Sequence, residues 1–241
     1  MLKLSLNVDI GMQRIVVLGT GTGVGKTTVS AALLRALRRA TPGSPVLGLK
    51  PVETGVQEGA PTDARALEEA AGVSDLRAPH PLYAFPKPVS PHLASRLAGL
   101  GDVELPQVVA WVQAAEERVA QTNRTKGERA GGWSVVETAG ALLSPLAPGV
   151  TNFDLARSLE PAIWILVGSD SLGTLHDVSA TLEVLRQRGR LPDHVVLSAS
   201  RVDESTGTNA GEMRLLGIVH PSAVLDPNGD GLEDFAARLS R

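Results

Sequence analysis

Short apolar runs alternate along the chain with longer segments in which apolar residues recur every three to four positions. The first pattern is typical of buried strands, and the second of helices with one apolar face. The predicted strands are Arg14–Leu18, Val46–Leu49, Trp133–Glu137, Ala162–Val167, His194–Ala199 and Leu215–Val219. The predicted helices are Lys26–Arg39, Asp63–Ala71, Pro91–Leu97, Leu105–Ala120, Asn152–Leu159, Leu172–Gln187 and Gly231–Leu239.

This order of elements predicts the fold class. Strands that are apolar on both faces and alternate with helices form a mostly parallel central sheet with helices on both faces, which is an α/β fold. Ligands of such sheets bind beyond the carboxyl ends of the strands. The segments Gln121–Gly132 and Asp226–Gly231 are predicted as a surface loop and a turn, and the proline-rich stretch Arg77–Pro91 as an ordered loop.

A glycine-rich segment connects the first predicted strand to the first predicted helix. It reads Gly19-Thr-Gly-Thr-Gly-Val-Gly-Lys-Thr27 and matches the phosphate-binding loop Gly-x4-Gly-Lys-Ser/Thr, except that Thr20 stands where the first glycine is usual. Glycines let backbone N–H groups approach a polyphosphate, and the helix start adds unpaired donors. The predicted nucleotide-binding residues are Gly23, Val24, Gly25, Lys26, Thr27 and Thr28. The segment predicts a P-loop NTPase-like fold, with an ordinary strand-to-helix turn as the alternative.

Two charged residues adjoin predicted elements near the carboxyl edge of the sheet. Lys50 follows the strand Val46–Leu49, and Pro51 keeps the chain extended there. Its ammonium either faces the phosphate-binding loop or is an ordinary solvated charge. Asp63 begins a helix, where it is either a cap or a Mg²⁺ ligand; Thr62 is an equally good cap.

Glu137 ends the buried strand Trp133–Glu137. A carboxylate in that position is costly unless it is paired or bound to a metal, and in P-loop proteins a Mg²⁺-binding carboxylate follows such a strand. Thr27, Asp63 and Glu137 would provide one hydroxyl and two carboxylates, which suit Mg²⁺. The sequence therefore predicts a magnesium site made by these three residues.

Composition narrows the class of protein. The 241 residues include no cysteine, which excludes disulfides, thiolate catalysis and cysteine-ligated metals. Net charge is −3 without a basic stripe, so nucleic acid is not expected as a partner, and no apolar run has the length of a membrane span. The start of the chain does not resemble a signal peptide, which favours the cytoplasm. We expect an N-terminal extension, residues 1–13, followed by a single P-loop α/β domain over residues 14–241.

Taken together, these motifs resemble those of the dethiobiotin synthetases, which close the ureido ring in biotin synthesis. The similarity extends from Gly19 to about His220. Besides the phosphate-binding loop, the matching segments are Lys50-Pro-Val-Glu-Thr-Gly55, Thr62-Asp63, Ser90-Pro-His92, Val136-Glu-Thr-Ala-Gly140, Leu172-Gly-Thr-Leu-His176 and Leu216-Gly217.

The resemblance implies a reaction. Its substrates are 7,8-diaminononanoate, CO₂ and a nucleoside triphosphate with Mg²⁺. A carbamate forms on one amine, its oxygen attacks the γ-phosphate, and the second amine closes the ring and expels phosphate. The resemblance also implies a homodimer with the active site at the subunit interface.

The same resemblance implies residue roles. Lys26, beside the phosphates, and Lys50, beside the carbamate, would be catalytic. The implied substrate-binding residues are Thr22, Lys50, Thr54, Gly140, Leu172, Gly173 and Thr174. Of these, the Leu172–Thr174 segment would bind the distal carboxylate of the substrate, from its own subunit or from the partner.

The chain departs from the family pattern at three places. Thr138 and Ala141 replace glycines that many members have, which restricts the backbone there. Gly23 replaces a common acidic residue. Small residues, Leu197-Ser-Ala-Ser200, replace an asparagine that reads adenine in many members, so ATP is expected while the base preference stays open.

Three other classes share parts of this pattern. Partitioning-type regulatory ATPases, which act by nucleotide-dependent dimerisation, have a signature lysine where this chain has Gly21. Amidotransferase-like cobyrinate synthases add a glutaminase domain with a nucleophilic cysteine, and this chain has none. A P-loop binding module without small-molecule chemistry is the broadest alternative.

Overall fold

The computed structural model describes residues 11–60, 62–72, 81–125, 127 and 131–241, which form ten strands and eight helices. The strands are β1 (Gln13–Gly19), β2 (Val46–Leu49), β3 (Val52–Thr54), β4 (Tyr83–Phe85), β5 (Trp133–Glu137), β6 (Pro145–Ala147), β7 (Val150–Thr151), β8 (Ile163–Ser169), β9 (His194–Ser198) and β10 (Ala223–Leu225). The helices are α1 (Lys26–Ala40), α2 (Asp63–Ala71), α3 (Pro91–Ala98), α4 (Leu105–Thr125), α5 (Asn152–Ser158), α6 (Thr174–Gln187), α7 (Asn209–Leu215) and α8 (Glu233–Leu239). Most of the expected N-terminal extension, residues 1–10, lies outside the described residues.

Six strands form the central sheet in the order β10-β9-β8-β1-β5-β2, and every neighbouring pair is parallel. Two small sheets accompany it: β3 pairs with β4 in parallel, and β6 pairs with β7 antiparallel. Crossover helices separate the strands of the central sheet, as parallel pairing requires. The predicted mostly parallel α/β fold is confirmed.

The alternation along β1 shows how both faces of the sheet are buried. Ile15 and Val17 pack with apolar residues of α1, α2 and α8 on one face. Val16 and Leu18 pack with residues of α4, α5 and α6 on the other. Because helices cover both faces, these strands are apolar throughout, which is the pattern that revealed them in the sequence.

Five of the six predicted strands match β1, β2, β5, β8 and β9 to within two residues. The sixth, Leu215–Val219, is wrong: α7 ends at Leu215, and the edge strand is β10 instead. Met213 is fully buried, whereas Leu215 and Leu216 are exposed, so the apolar run begins at the last residue of a helix and continues through the turn after it. A short apolar run does not by itself distinguish a helix end from a strand.

The seven predicted helices all exist: α2 has the predicted ends, and the other six differ at one or both ends. Helix α4 continues to Thr125 through the first part of the predicted loop Gln121–Gly132, of which residues 126 and 128–130 lie outside the description. Helices α6 and α8 begin two residues later than predicted. The predicted loop Arg77–Pro91 contains the short strand β4; its residues 77–80 are outside the description.

None of the described helices is long and apolar enough to span a lipid bilayer.

Gly48 allows α2 to lie close against the edge strand β2. A Cβ at this position would lie 2.8 Å from the backbone oxygen of Leu67 and 2.7 Å from Cδ1 of Leu34. The backbone of α2 cannot move aside as easily as the end of a flexible side chain. A side chain at position 48 would therefore push the helix away from the sheet. Asp63, the first residue of α2, depends on this close packing for its position.

We therefore predict that Gly48→Ala lowers the free energy of unfolding by about 1–3 kcal/mol, the usual cost of overpacking a core. Gly101→Ala is the matched control, because no atom lies within 4 Å of a Cβ at that position. Urea denaturation of the two variants checks this. Equal stability would contradict the close packing of α2 on β2.

Candidate active site at the phosphate-binding loop

The segment between β1 and α1 has the conformation that its glycines predict. Gly23 and Gly25 have φ angles of 72° and 89°, in the left-handed region, and Gly25 is the N-cap of α1. A Cβ on Gly19 would lie 3.0 Å from Nζ of Lys26, so this glycine leaves room for the lysine to fold back over the loop. The ammonium donates to the Gly21 carbonyl oxygen at 3.2 Å.

Lys50, Asp63 and Glu137 come together beside this loop. The ammonium of Lys50 donates to Oδ2 of Asp63 at 2.9 Å and to Oε1 of Glu137. Strand register explains the second contact: Leu49 of β2 pairs with Val136 of β5, so the next residues along the two parallel strands are neighbours. Lys50 is therefore a buried member of an ion cluster, and the alternative of a solvated lysine is wrong.

Thr27 joins the cluster from the start of α1. Its hydroxyl donates to Oε1 of Glu137 at 2.8 Å. The other carboxylate oxygen, Oε2, is buried and has no hydrogen-bond partner among the described residues. A buried carboxylate oxygen without a donor is costly, and a cation would satisfy it.

The donor set fits Mg²⁺ as the sequence predicts. The hydroxyl of Thr27 contacts Glu137, and Lys50 connects Glu137 to Asp63, so the three residues bring hard oxygen atoms into one cluster. Phosphate oxygens and waters would complete such a shell for Mg²⁺. The described residues include no group of three or more His, Cys, Asp or Glu side chains that could hold a metal on its own. The site therefore suits a metal that arrives with a nucleotide.

The two lysines have opposite electrostatic environments. Burial, and after it the nearby charge of Lys50, lower the pKa of Lys26 to about 8, against the opposing pull of Glu137 and Asp63. Burial also disfavours charged Lys50, but the charges and hydrogen bonds of Glu137 and Asp63 outweigh it and raise the pKa of that ammonium above its usual value. Lys50 thus remains charged, while Lys26 gains from any anion that binds beside it.

The start of α2 assigns the capping role to Thr62, so the role of Asp63 as a Mg²⁺ ligand stays a prediction. Thr62 is the N-cap, and its hydroxyl accepts from the Arg65 N–H at 3.2 Å. Asp63 is the first helical residue, so its carboxylate is available to the ion cluster. The carboxylate of Glu53, a buried residue of β3, also caps this helix, because it accepts from the Asp63 and Ala64 N–H groups. The sequence analysis assigned Glu53 no role; an acidic residue three positions after Lys50 was the available signal.

A cavity of about 440 Å³ contains most of the predicted site. The predicted residues that line it are Thr22, Gly23, Gly25, Lys26, Thr27, Thr28, Lys50, Thr54, Asp63, Glu137 and Gly140. Glu53, Ala139, Ser200 and Arg201 also line it and were not predicted. The side chain of Val24 packs in the core instead, which leaves its backbone as the group that could meet a phosphate.

Leu172, Gly173 and Thr174 are not among the residues that line this cavity. Leu172 is 85% exposed, and its N–H donates to Oδ2 of Asp203 at 2.8 Å. Gly173 is the N-cap of α6, and the buried Thr174 hydroxyl has no partner within the described part of the chain. A role for this segment in substrate binding remains a prediction.

The loop after Glu137 accommodates the residues that replace family glycines. The Thr138 hydroxyl donates to the Val17 carbonyl oxygen at 2.9 Å, which fastens the loop to β1. Asn152 donates to the carbonyl oxygens of Ala139 and Ala141 at 2.6 and 2.8 Å. The left-handed residue of the loop is Gly140, with φ of 85°. Thr138 therefore stabilises this loop.

Comparisons with known proteins give this geometry a context. A family model described as the AAA domain matches residues 13–228. The chain is 38% identical over 217 residues to the ATP-dependent dethiobiotin synthetase BioD of Anaeromyxobacter sp. (strain K), covering 89% of this chain and 90% of that protein. It is 35% identical over 224 residues to the protein of the same name from Parafrankia sp. (strain EAN1pec), covering 92% and 86%. Among solved structures, a ParA family ATPase from Chlorobium tepidum TLS is similar with 12% identity and a TM-score of 0.48, over 87% of this chain and 81% of that one.

The ion cluster generates a stability prediction. Lys50→Met removes the ammonium from the fully buried Glu137, and we expect the free energy of unfolding to fall by about 3–5 kcal/mol, as when one partner of a buried pair is lost. The double variant Lys50→Met/Glu137→Gln should lose less than Lys50→Met alone, because it also removes the uncompensated charge.

Urea denaturation without nucleotide and magnesium checks this prediction. Arg65→Met is the control, since it breaks an exposed ion pair with Glu69 and should change stability little. A double variant at least as unstable as Lys50→Met would contradict the electrostatic explanation.

Proposed function

The chain belongs to the ATP-dependent dethiobiotin synthetase family of P-loop enzymes in biotin biosynthesis, and we propose that it forms the ureido ring of dethiobiotin from 7,8-diaminononanoate and CO₂. One observation carries this proposal: a single cavity joins the phosphate-binding loop to the Lys50–Asp63–Glu137 cluster. In this proposal two cationic side chains and a magnesium ion would face the place where two anions must react.

The proposed chemistry has three steps. One amine of the substrate adds to CO₂ and loses a proton, which gives a carbamate. A carbamate oxygen attacks the γ-phosphorus, the bond to the β-phosphate oxygen breaks, and ADP leaves behind a carbamic-phosphoric anhydride. The second amine then attacks the carbonyl carbon, loses a proton and expels inorganic phosphate, which closes the ring.

The protein contributes by positioning and by charge, because phosphoryl transfer needs little covalent help. In this proposal the loop amides and Lys26 hold the phosphates, and Lys26 stabilises the charge that moves onto the leaving ADP. Lys50 lines the same cavity, where its permanent charge would attract the carbamate. Thr22 and Thr54 line the same space and would hydrogen-bond the amines or the carbamate, with the Gly140 N–H beside them.

Thr27, Asp63 and Glu137 would hold Mg²⁺, which supplies charge that offsets the repulsion between triphosphate and carbamate. The described lining of the cavity has three cationic side chains and three carboxylates, so its formal charges cancel. The anionic substrates therefore need the additional positive charge of a metal ion. The unpartnered Oε2 of Glu137 supports this assignment.

We further propose a homodimer in which the active site is completed at the subunit interface. Leu172, Gly173 and Thr174 do not line the cavity of their own subunit, and Leu172 is largely exposed. This position is consistent with a segment that binds the distal carboxylate of a substrate held by the partner.

The decisive experiment measures phosphate release by the purified protein with MgATP, with and without diaminononanoate and bicarbonate, and detects dethiobiotin by mass spectrometry. We expect release that needs both co-substrates and yields one dethiobiotin per phosphate. Release that ignores them would favour a regulatory ATPase or a binding module instead. Replacing ATP by CTP in the same assay tests the base preference, which the small side chains of Ser198 and Ser200 leave open.

The two lysines should differ in their effect. We expect Lys50→Ala to abolish turnover while largely keeping affinity for a nonhydrolysable ATP analogue, because Lys50 acts on the carbamate side. Lys26→Ala should lose affinity for the analogue as well. Isothermal titration calorimetry on variants shown to be folded by circular dichroism separates the two effects, with Lys50→Arg as a second variant that keeps the charge. Equal losses of nucleotide affinity for both alanine variants would contradict the role assigned to Lys50.

A further inference from the structure

Glu53 has a contact pattern that the proposed reaction does not use. Its side chain is 6% exposed and lines the cavity beside Lys50 and Asp63. Both carboxylate oxygens face the start of α2: Oε1 accepts from the Asp63 N–H at 2.7 Å, and Oε2 accepts from the Ala64 N–H at 3.0 Å. The carboxylate therefore holds two successive backbone N–H groups at once.

We propose that Glu53 is a positioning residue for the magnesium site, because it fixes the backbone of Asp63 and thereby sets where the Asp63 carboxylate lies. We assign Glu53 no direct contact with the metal, because each of its carboxylate oxygens accepts a backbone N–H group of α2. This inference rests on the proposed function only for the assignment of Mg²⁺ to Thr27, Asp63 and Glu137.

The position of Glu53 makes this anchoring effective. Glu53 lies on β3, three residues after Lys50, so the two residues that hold Asp63 are close together in the sequence. Because Glu53 holds the Asp63 backbone and Lys50 holds the Asp63 side chain, the aspartate is fixed at both ends. The helix dipole and the two N–H donors compensate the buried charge of Glu53.

A simple cap would act differently, and Thr62 provides the comparison. Its hydroxyl accepts from the Arg65 N–H at 3.2 Å, in the same first turn, but it makes no contact with the Asp63 N–H. Loss of either group weakens the start of α2. Only loss of Glu53 frees the backbone of the metal-binding residue, so only that loss should change the metal requirement.

The test measures metal binding without turnover. The affinity of Mn²⁺ in the presence of ADP is followed by electron paramagnetic resonance, and ADP binding is titrated at a series of Mg²⁺ concentrations by calorimetry. For Glu53→Ala we expect the metal affinity to fall by about tenfold or more, as for other groups that orient metal-binding side chains, with ADP affinity in EDTA unchanged. Glu53→Gln keeps one acceptor oxygen and should give a smaller loss.

Thr62→Ala is the matched control. We expect it to lower the melting temperature of the protein while leaving the metal affinity as in the wild type. The inference is overturned if Glu53→Ala and Thr62→Ala shift the metal affinity equally, or if Glu53→Ala shifts it by less than twofold. If Glu53→Ala does not fold, the same comparison with Glu53→Gln decides.

The outcomes also separate this inference from the magnesium site itself. A wild-type protein whose ADP affinity ignores Mg²⁺ would contradict the site of Thr27, Asp63 and Glu137. Metal-dependent ADP binding by the wild type, together with unchanged metal affinity in both Glu53 variants, would contradict only the role of Glu53. Both measurements are made without the diamine, so their results do not depend on whether the protein forms dethiobiotin.

Discussion

The Lys50 ammonium lies between the carboxylates of Glu137 and Asp63, and the arrangement of the whole site depends on this buried contact. It connects the end of β2, the end of β5 and the start of α2. Thr27 extends the connection to α1 through its bond to Glu137. Each buried charge compensates another, because an isolated one would be too costly in the interior.

The parallel sheet makes this contact possible. Parallel strands all end at the same edge, and the residues that follow them meet there even when the chain between them is long. β2 and β5 are neighbours in register, whereas Asp63 is brought in by a helix that packs on β2 over Gly48. The ion cluster, the phosphate-binding loop and the cavity therefore lie at one place for a reason that belongs to the fold.

Residues outside the obvious motifs hold the site in shape. Thr138 fastens the loop after Glu137 to β1, and Asn152 holds two carbonyl oxygens of that loop. Thr62 caps α2 and leaves the Asp63 carboxylate available. Such contacts hold the loop after Glu137 and the start of α2 in place.

The sequence by itself determined the class of fold, the phosphate-binding loop and the residues that we propose for a magnesium site. These depend on local patterns: apolar periodicity, glycines at the loop, and a carboxylate at the end of a buried strand. It misplaced the last strand, since Leu215–Val219 has the same apolar pattern at a helix end as in a strand, and it gave Glu53 no role. Only the tertiary structure decided which charges meet, because Lys50 and Glu137 are 87 positions apart and their contact depends on the register of two paired strands.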